Sequence, residues 1–125
     1  MEYAIENEYL IVTVTTWGAQ VKSVVRKFDD VEHMWQADKS VWGYHAPILF
    51  PHTGKVVDDL IETKGEVYQA KQHGFARLME HTLVRQTEDT IVMELRSSEE
   101  TLRIFPYAFR LVSTFTLDGD TLHHK

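Results

Sequence analysis

Ile91-Val92-Met93-Glu94-Leu95-Arg96 places Ile91, Met93 and Leu95 on one side of an extended chain and Val92, Glu94 and Arg96 on the other. That is the period-two alternation of a strand with one buried face. Upstream, Leu10, Val12 and Val14 alternate with Ile11, Thr13 and Thr15; downstream, Phe109, Leu111, Ser113, Phe115 and Leu117 repeat the pattern. Weaker candidates run from Gln20 to Lys27, Glu32 to Trp35, Glu66 to Gln69, His81 to Thr87 and Thr121 to His124. Together they make about eight strands, within the range of a β-sandwich. Turn chemistry separates them: Trp17-Gly18-Ala19 divides the first pair, Lys64-Gly65 precedes another strand, Glu88-Asp89 lies between apolar runs, and Asp118-Gly119 is a hairpin signal. An all-β fold with mainly antiparallel strands is expected. One short helix is expected at Ser97 to Arg103, where Ser97 and Glu100 have capping-box spacing and Pro106 stops further extension.

The composition narrows the classes of function. The chain has 125 residues, 43% of them hydrophobic, which suits a single domain or a piece of one over residues 1–125. Thirteen basic against 19 acidic residues give a formal charge of -6. Such a balance disfavours nucleic acid and anionic membrane as partners. No cysteine is present, so disulfides and thiolate metal sites are excluded. The start of the chain lacks a basic segment followed by an apolar run, and no stretch reaches the ~20 apolar residues of a spanning helix. A cytoplasmic protein is expected.

The stretch from Gln36 to Lys64 has no clear pattern, and so long an irregular segment in a compact domain is usually functional. It contains Trp42-Gly43-Tyr44-His45-Ala46-Pro47-Ile48-Leu49-Phe50-Pro51-His52-Thr53-Gly54-Lys55. Aromatic rings beside histidines and a cation suit a sugar, which presents apolar C–H faces and a ring of hydroxyls. The same rings could equally close one end of a sandwich. A second cluster, Lys71-Gln72-His73-Gly74-Phe75-Ala76-Arg77, gathers an amide, an imidazole and a guanidinium around a glycine that permits a tight turn. Histidine exchanges protons near neutral pH, and Gln and Arg can fix neighbouring hydroxyls. Metal binding has little support: Asp58-Asp59 lacks further oxygen ligands, and His45 and His52 lack zinc-site spacing.

Read in order, Trp17-Gly18-Ala19-Gln20-Val21-Lys22-Ser23, Met34-Trp35-Gln36-Ala37-Asp38, Trp42, Ala46-Pro47-Ile48-Leu49-Phe50-Pro51, Gly54-Lys55, Gln72-His73-Gly74-Phe75-Ala76-Arg77 and Glu99-Glu100-Thr101-Leu102 resemble the aldose 1-epimerase family. The likeness is strongest to its lactose-operon-associated bacterial branch and runs from about residue 7 to about residue 122. It implies the N-terminal part of a galactose mutarotase-like β-supersandwich. It also implies a small-molecule sugar, a hexose or hexose phosphate, as partner; no cofactor and no metal are expected. Such enzymes interconvert α and β anomers: a base takes the C1 hydroxyl proton, an acid protonates the ring oxygen, and the ring opens and recloses. By this resemblance His73 matches the first family histidine, which lies beside the sugar. Gln72 and Arg77 match substrate-contacting positions in related hexose-phosphate epimerases, and Gly54-Lys55 matches a basic position.

The same resemblance places the family's acid histidine, in a Gly-x-His-Pro segment, and its glutamate base beyond Lys125. Three functions therefore remain open on sequence: a mutarotase-like protein acting on or binding free hexoses, a non-catalytic carbohydrate-binding or assembly module, and an inactive fragment. A sheet cut midway would expose an edge and favour self-association.

Overall fold

The computed structural model describes residues 1–125. Ten strands form two four-stranded antiparallel sheets and one hairpin. The first sheet has β1 (Glu2–Glu6), β2 (Leu10–Thr15), β3 (Gln20–Arg26) and β4 (Val31–Glu32) in sequence order. The second has β7 (Thr82–Gln86), β8 (Thr90–Arg96), β9 (Arg110–Asp118) and β10 (Thr121–His124), also side by side in sequence order. Between them the chain makes the hairpin β5 (Leu60–Thr63) and β6 (Glu66–Gln69).

The alternating residues supply the core. Ile5, Leu10, Val12, Val14, Ala19 and Val21 from the first sheet and its turn meet Ile91, Met93, Phe115 and Leu117 from the second in one buried cluster. Val21 and Val24 both face it, although an odd spacing should send them to opposite faces of a regular strand. A bulge reconciles them: Thr13 pairs with Ser23 and Val14 with Val21, so Lys22 is the extra residue on β3. The seam between the sheets is also held by polar groups, since Gln86 donates from Nε2 to the Ala4 carbonyl at 2.8 Å and Asn7 donates from Nδ2 to the Gly119 carbonyl at 2.7 Å.

The eight expected strands are present, and two more join them. β1 carries Ile5 into the core with Tyr3 packed against it. β5 falls inside the stretch that reads as patternless, because Leu60 is exposed on the one side and Ile61 only half-buried on the other. The expected strand from Glu32 to Trp35 shrinks to Val31–Glu32. Its ladder is replaced by the Glu32 carboxylate, which accepts from Ser23 Oγ at 2.5 Å and from the Val24 and Met34 N–H groups, each at 2.8 Å. Burial raises that carboxyl's pKa, but these hydrogen bonds outweigh it and hold the group below its usual value. The helix, α1 (Glu99–Leu102), begins one residue later than its sequence pattern suggests. Ser98 rather than Ser97 is the cap: its Oγ accepts from the Thr101 N–H at 3.3 Å, and Thr101 Oγ1 accepts from the Ser98 N–H at 2.8 Å. Thr101 is fully buried, so this box faces inward, where Glu100 could not have served.

No helix is long and apolar enough to cross a membrane.

Candidate functional site

The two unusual clusters of the sequence are stitched together by their main chains. Phe50 and Gly74 form a parallel bridge, and the Phe50 carbonyl accepts from the N–H groups of Phe75 at 2.9 Å and Ala76 at 3.2 Å. This approach depends on glycine. A Cβ on Gly74 would sit 2.1 Å from the Phe50 oxygen, and its φ of +72° lies in the left-handed region. Beneath the bridge, Phe50, Phe75, Phe105 and Phe109 pack with ring centroids 5.0 to 6.1 Å apart, an ordinary separation for edge and tilted aromatic pairs. This second apolar cluster joins both loops to the start of β9.

His73 is bound to Gly54 twice. Its own N–H donates to the Gly54 carbonyl at 2.9 Å, and the Gly54 N–H donates to His73 Nδ1, also at 2.9 Å. A nitrogen that accepts from an N–H cannot itself carry a proton, so the neutral imidazole holds its hydrogen on Nε2. The half-buried ring therefore presents a donor.

Arg77 follows in a single 3-10 turn, Ala76–Leu78. Its Nη2 donates to the Gln72 carbonyl at 3.2 Å, and its guanidinium carbon lies 4.9 Å from the centroid of the Tyr44 ring. Its Nε is buried with no partner. Gln72 is exposed, as is Lys55 next to Gly54. The four candidate residues of the sequence, Lys55, Gln72, His73 and Arg77, thus belong to one pair of bridged loops. Sequence reasoning did not find the groups that orient them: the Gly54 N–H, the Phe50 carbonyl and the face of Tyr44. A main-chain donor leaves no signature in residue type, whereas Tyr44 was visible only as part of an aromatic run.

A cavity of about 570 Å³ is bounded by the β5–β6 hairpin, Pro51, His52, Phe75 and the segment Ile104 to Tyr107. Lys64 ties the hairpin to that segment by donating to the Pro106 carbonyl at 2.7 Å and lying 4.4 Å from the Tyr107 ring centroid, and the Thr63 and Tyr107 hydroxyls are hydrogen-bonded. None of Lys55, Gln72, His73 and Arg77 lines it. Both ring nitrogens of His52 are buried without a partner. No group of three or more His, Asp or Glu side chains is placed to hold a metal ion.

Residues 1–125 match the aldose 1-epimerase family from end to end. The chain belongs to that family. It is 33% identical to Protein LacX of Lactococcus lactis subsp. lactis over 127 residues, covering 98% of this chain and 42% of that protein. Among solved structures, a galactose mutarotase related enzyme from Lactobacillus acidophilus is 37% identical with a TM-score of 0.96, over 98% of this chain and 41% of its own. A galactose mutarotase-like protein from Lactobacillus casei is 33% identical with a TM-score of 0.93, over 98% and 42%. This aldose 1-epimerase family chain therefore has a galactose mutarotase-like fold and spans about two fifths of the length of these relatives.

Burial sets the pH response of the region. Desolvation lowers the pKa of His81 from 6.5, against the opposing influence of the Ala76 carbonyl and Glu80. It also lowers that of His45, helped by the nearby Lys22 charge. A histidine with a depressed folded value binds its proton more readily in the unfolded chain. Its contribution to stability is therefore complete above the unfolded value and is lost as pH falls through the folded one. Urea unfolding measured from pH 8 down to pH 5 should show a flat free energy above about 6.5 and a decline below it. The slope per proton taken up on unfolding is at most about 1.4 kcal/mol per pH unit. The slope should lessen when His81, the more buried of the two at 2% exposure, is replaced by a side chain that does not titrate. A rising stability toward pH 5 would contradict this assignment.

Proposed function

We propose that the bridged loops form one wall of a site for a free hexose in a mutarotase-type protein, with His73 as a hydrogen-bond donor to the sugar. The observation that carries this reading is the Gly54 N–H donated to His73 Nδ1 at 2.9 Å. It leaves Nε2–H as the only polar hydrogen of the neutral ring. Anomer exchange requires a proton to reach the ring oxygen as the C1 hydroxyl loses one. A fixed Nε2–H polarises an oxygen at the reacting carbon without needing to become a base. Arg77, propped on Tyr44, and Gln72 supply donors for neighbouring hydroxyls, and Lys55 adds a cation at the rim. Family membership and the named mutarotase-related neighbours support a sugar as the ligand class.

The 125 residues contain no Gly-x-His-Pro segment, the family's setting for its general acid. Binding without fast catalysis is therefore the expected behaviour of this chain by itself. Ligand-observed NMR with galactose and glucose should detect weak binding. Polarimetry on freshly dissolved α-galactose should show little acceleration of mutarotation. His73→Ala should weaken binding about tenfold, the worth of one charge-free hydrogen bond in a half-buried site. Unchanged affinity in that variant would remove His73 from the wall. Equal binding of methyl glycosides, whose C1 oxygen is blocked, would instead favour a carbohydrate-binding module with no anomer chemistry.

A further inference from the structure

We propose that His81 is a positioning residue for Arg77, holding the turn that carries this guanidinium through a hydrogen bond from its Nε2–H to the Ala76 carbonyl. The 3-10 turn Ala76–Leu78 has three residues and no side-chain cap. A single turn has few bonds for the dihedrals it fixes and does not persist unaided. Its closing bond, from the Met79 N–H to the Ala76 carbonyl, is long at 3.3 Å. The same carbonyl stands 3.0 Å from His81 Nε2. Ala76 is fully buried and His81 is 2% exposed, so water does not compete for this contact.

The chemistry of the ring fixes its direction. A carbonyl only accepts, so Nε2 carries the hydrogen. Nδ1 is buried with no partner, and an imidazolium would leave a second N–H unsatisfied there. The ring therefore has one polar task, and that task is the Ala76 carbonyl.

The rest of the surroundings converts this bond into control of Arg77. The His81 N–H donates to the Thr16 carbonyl at 2.8 Å, and the Gly18 N–H donates to the Met79 carbonyl at 2.8 Å. These anchor the base of the ring to the turn between β2 and β3. Gly18 lies directly against the Arg77 main chain, where a Cβ would fall 2.7 Å from the Arg77 oxygen. Arg77 is thus fixed by its backbone to the sandwich and by its guanidinium to Tyr44 and Gln72. His81 is the side chain that sets the angle between those two attachments. An apolar residue of similar size would fill the space without making the bond. The proposal rests on the assignment of Arg77 to the hexose wall.

NMR on the full chain tests it in two stages. In the native protein at neutral pH, the ring ¹⁵N shifts of His81 should identify the Nε2–H form, and the Nδ1–H form would overturn the proposal. The Arg77 side-chain protons should carry a ring-current shift from Tyr44, recognised by its loss in Tyr44→Leu. His81→Met should abolish that shift and weaken galactose binding about tenfold, leaving the methyl signals of Val12 and Met93 in place. His81→Gln, which retains a donor amide near the position of Nε2, should keep both. A folded His81→Met with the Arg77 shift intact would overturn the proposal, as would a folded His81→Gln that loses it. Should His81→Met not fold, the native tautomer and the glutamine variant decide. Should the native chain bind no galactose, the hexose wall fails, while the Arg77 shift still judges His81.

Discussion

Gly74→Ala is expected to destabilise the chain by about 2 to 5 kcal/mol and to dismantle the bridged loops. Two costs combine. A non-glycine residue at positive φ costs about 1 to 2 kcal/mol, and forcing an atom into a packed space adds about 1 to 3 kcal/mol. Here the new atom would meet the Phe50 oxygen at 2.1 Å and Pro51 Cδ at 2.6 Å, one of them backbone. The loop would have to leave the bridge, losing the bonds from Phe75 and Ala76 to the Phe50 carbonyl. Gly54→Ala is the control. That residue also has positive φ, at +83°, but nothing lies within 4 Å of its added Cβ, so only the conformational cost of about 1 to 2 kcal/mol applies. Urea midpoints for the two variants should differ accordingly, and equal midpoints would show that the close approach at Gly74 is not what holds the loops.

Phe115→Ala should cost a similar amount for a different reason. Its ring is fully buried, lies in the inter-sheet cluster with residues of both sheets, and has His124 stacked over it at a centroid distance of 4.3 Å. Removing a phenylalanine from such a position costs about 3 to 5 kcal/mol, from lost transfer free energy and the cavity left behind. A drop in melting temperature on the order of 10 °C is expected. Phe28 tests whether burial is the cause: it is 94% exposed, and its replacement by alanine should stay within about 0.5 kcal/mol of the native protein. Comparable losses at the two positions would contradict the core described above.

The strands were legible where one face is buried and the other wet. β2, β8 and the later part of β9 bury every second residue, and their sequences alternate for that reason. β5 was not legible, because neither face of a hairpin standing away from the sheets is fully covered and alternation has nothing to record. The bulge at Lys22 was invisible too, since a register change depends on the partner strand. In the site, Gln72, His73 and Arg77 could be read as chemistry-bearing types beside a glycine. The hydrogen-bonding roles of His73 and His81 could not, because the decisive partners are the Gly54 N–H, which every residue but proline can offer, and the Ala76 carbonyl, which every residue can.

The inter-sheet cluster has a consequence for the order in which the chain folds. Its ten members come from Ile5 to Val21 and from Ile91 to Leu117, with none between. The early strands can pair locally as they form, but their apolar face finds its permanent neighbours only after roughly seventy intervening residues, and closing so wide a loop delays assembly more than it weakens the product. During synthesis the first sheet would wait, half covered, while the bridged loops and the hairpin emerge. The loops thus lie in the chain between the two halves of a frame that owes its buried core to other residues, and they close only as the second sheet arrives.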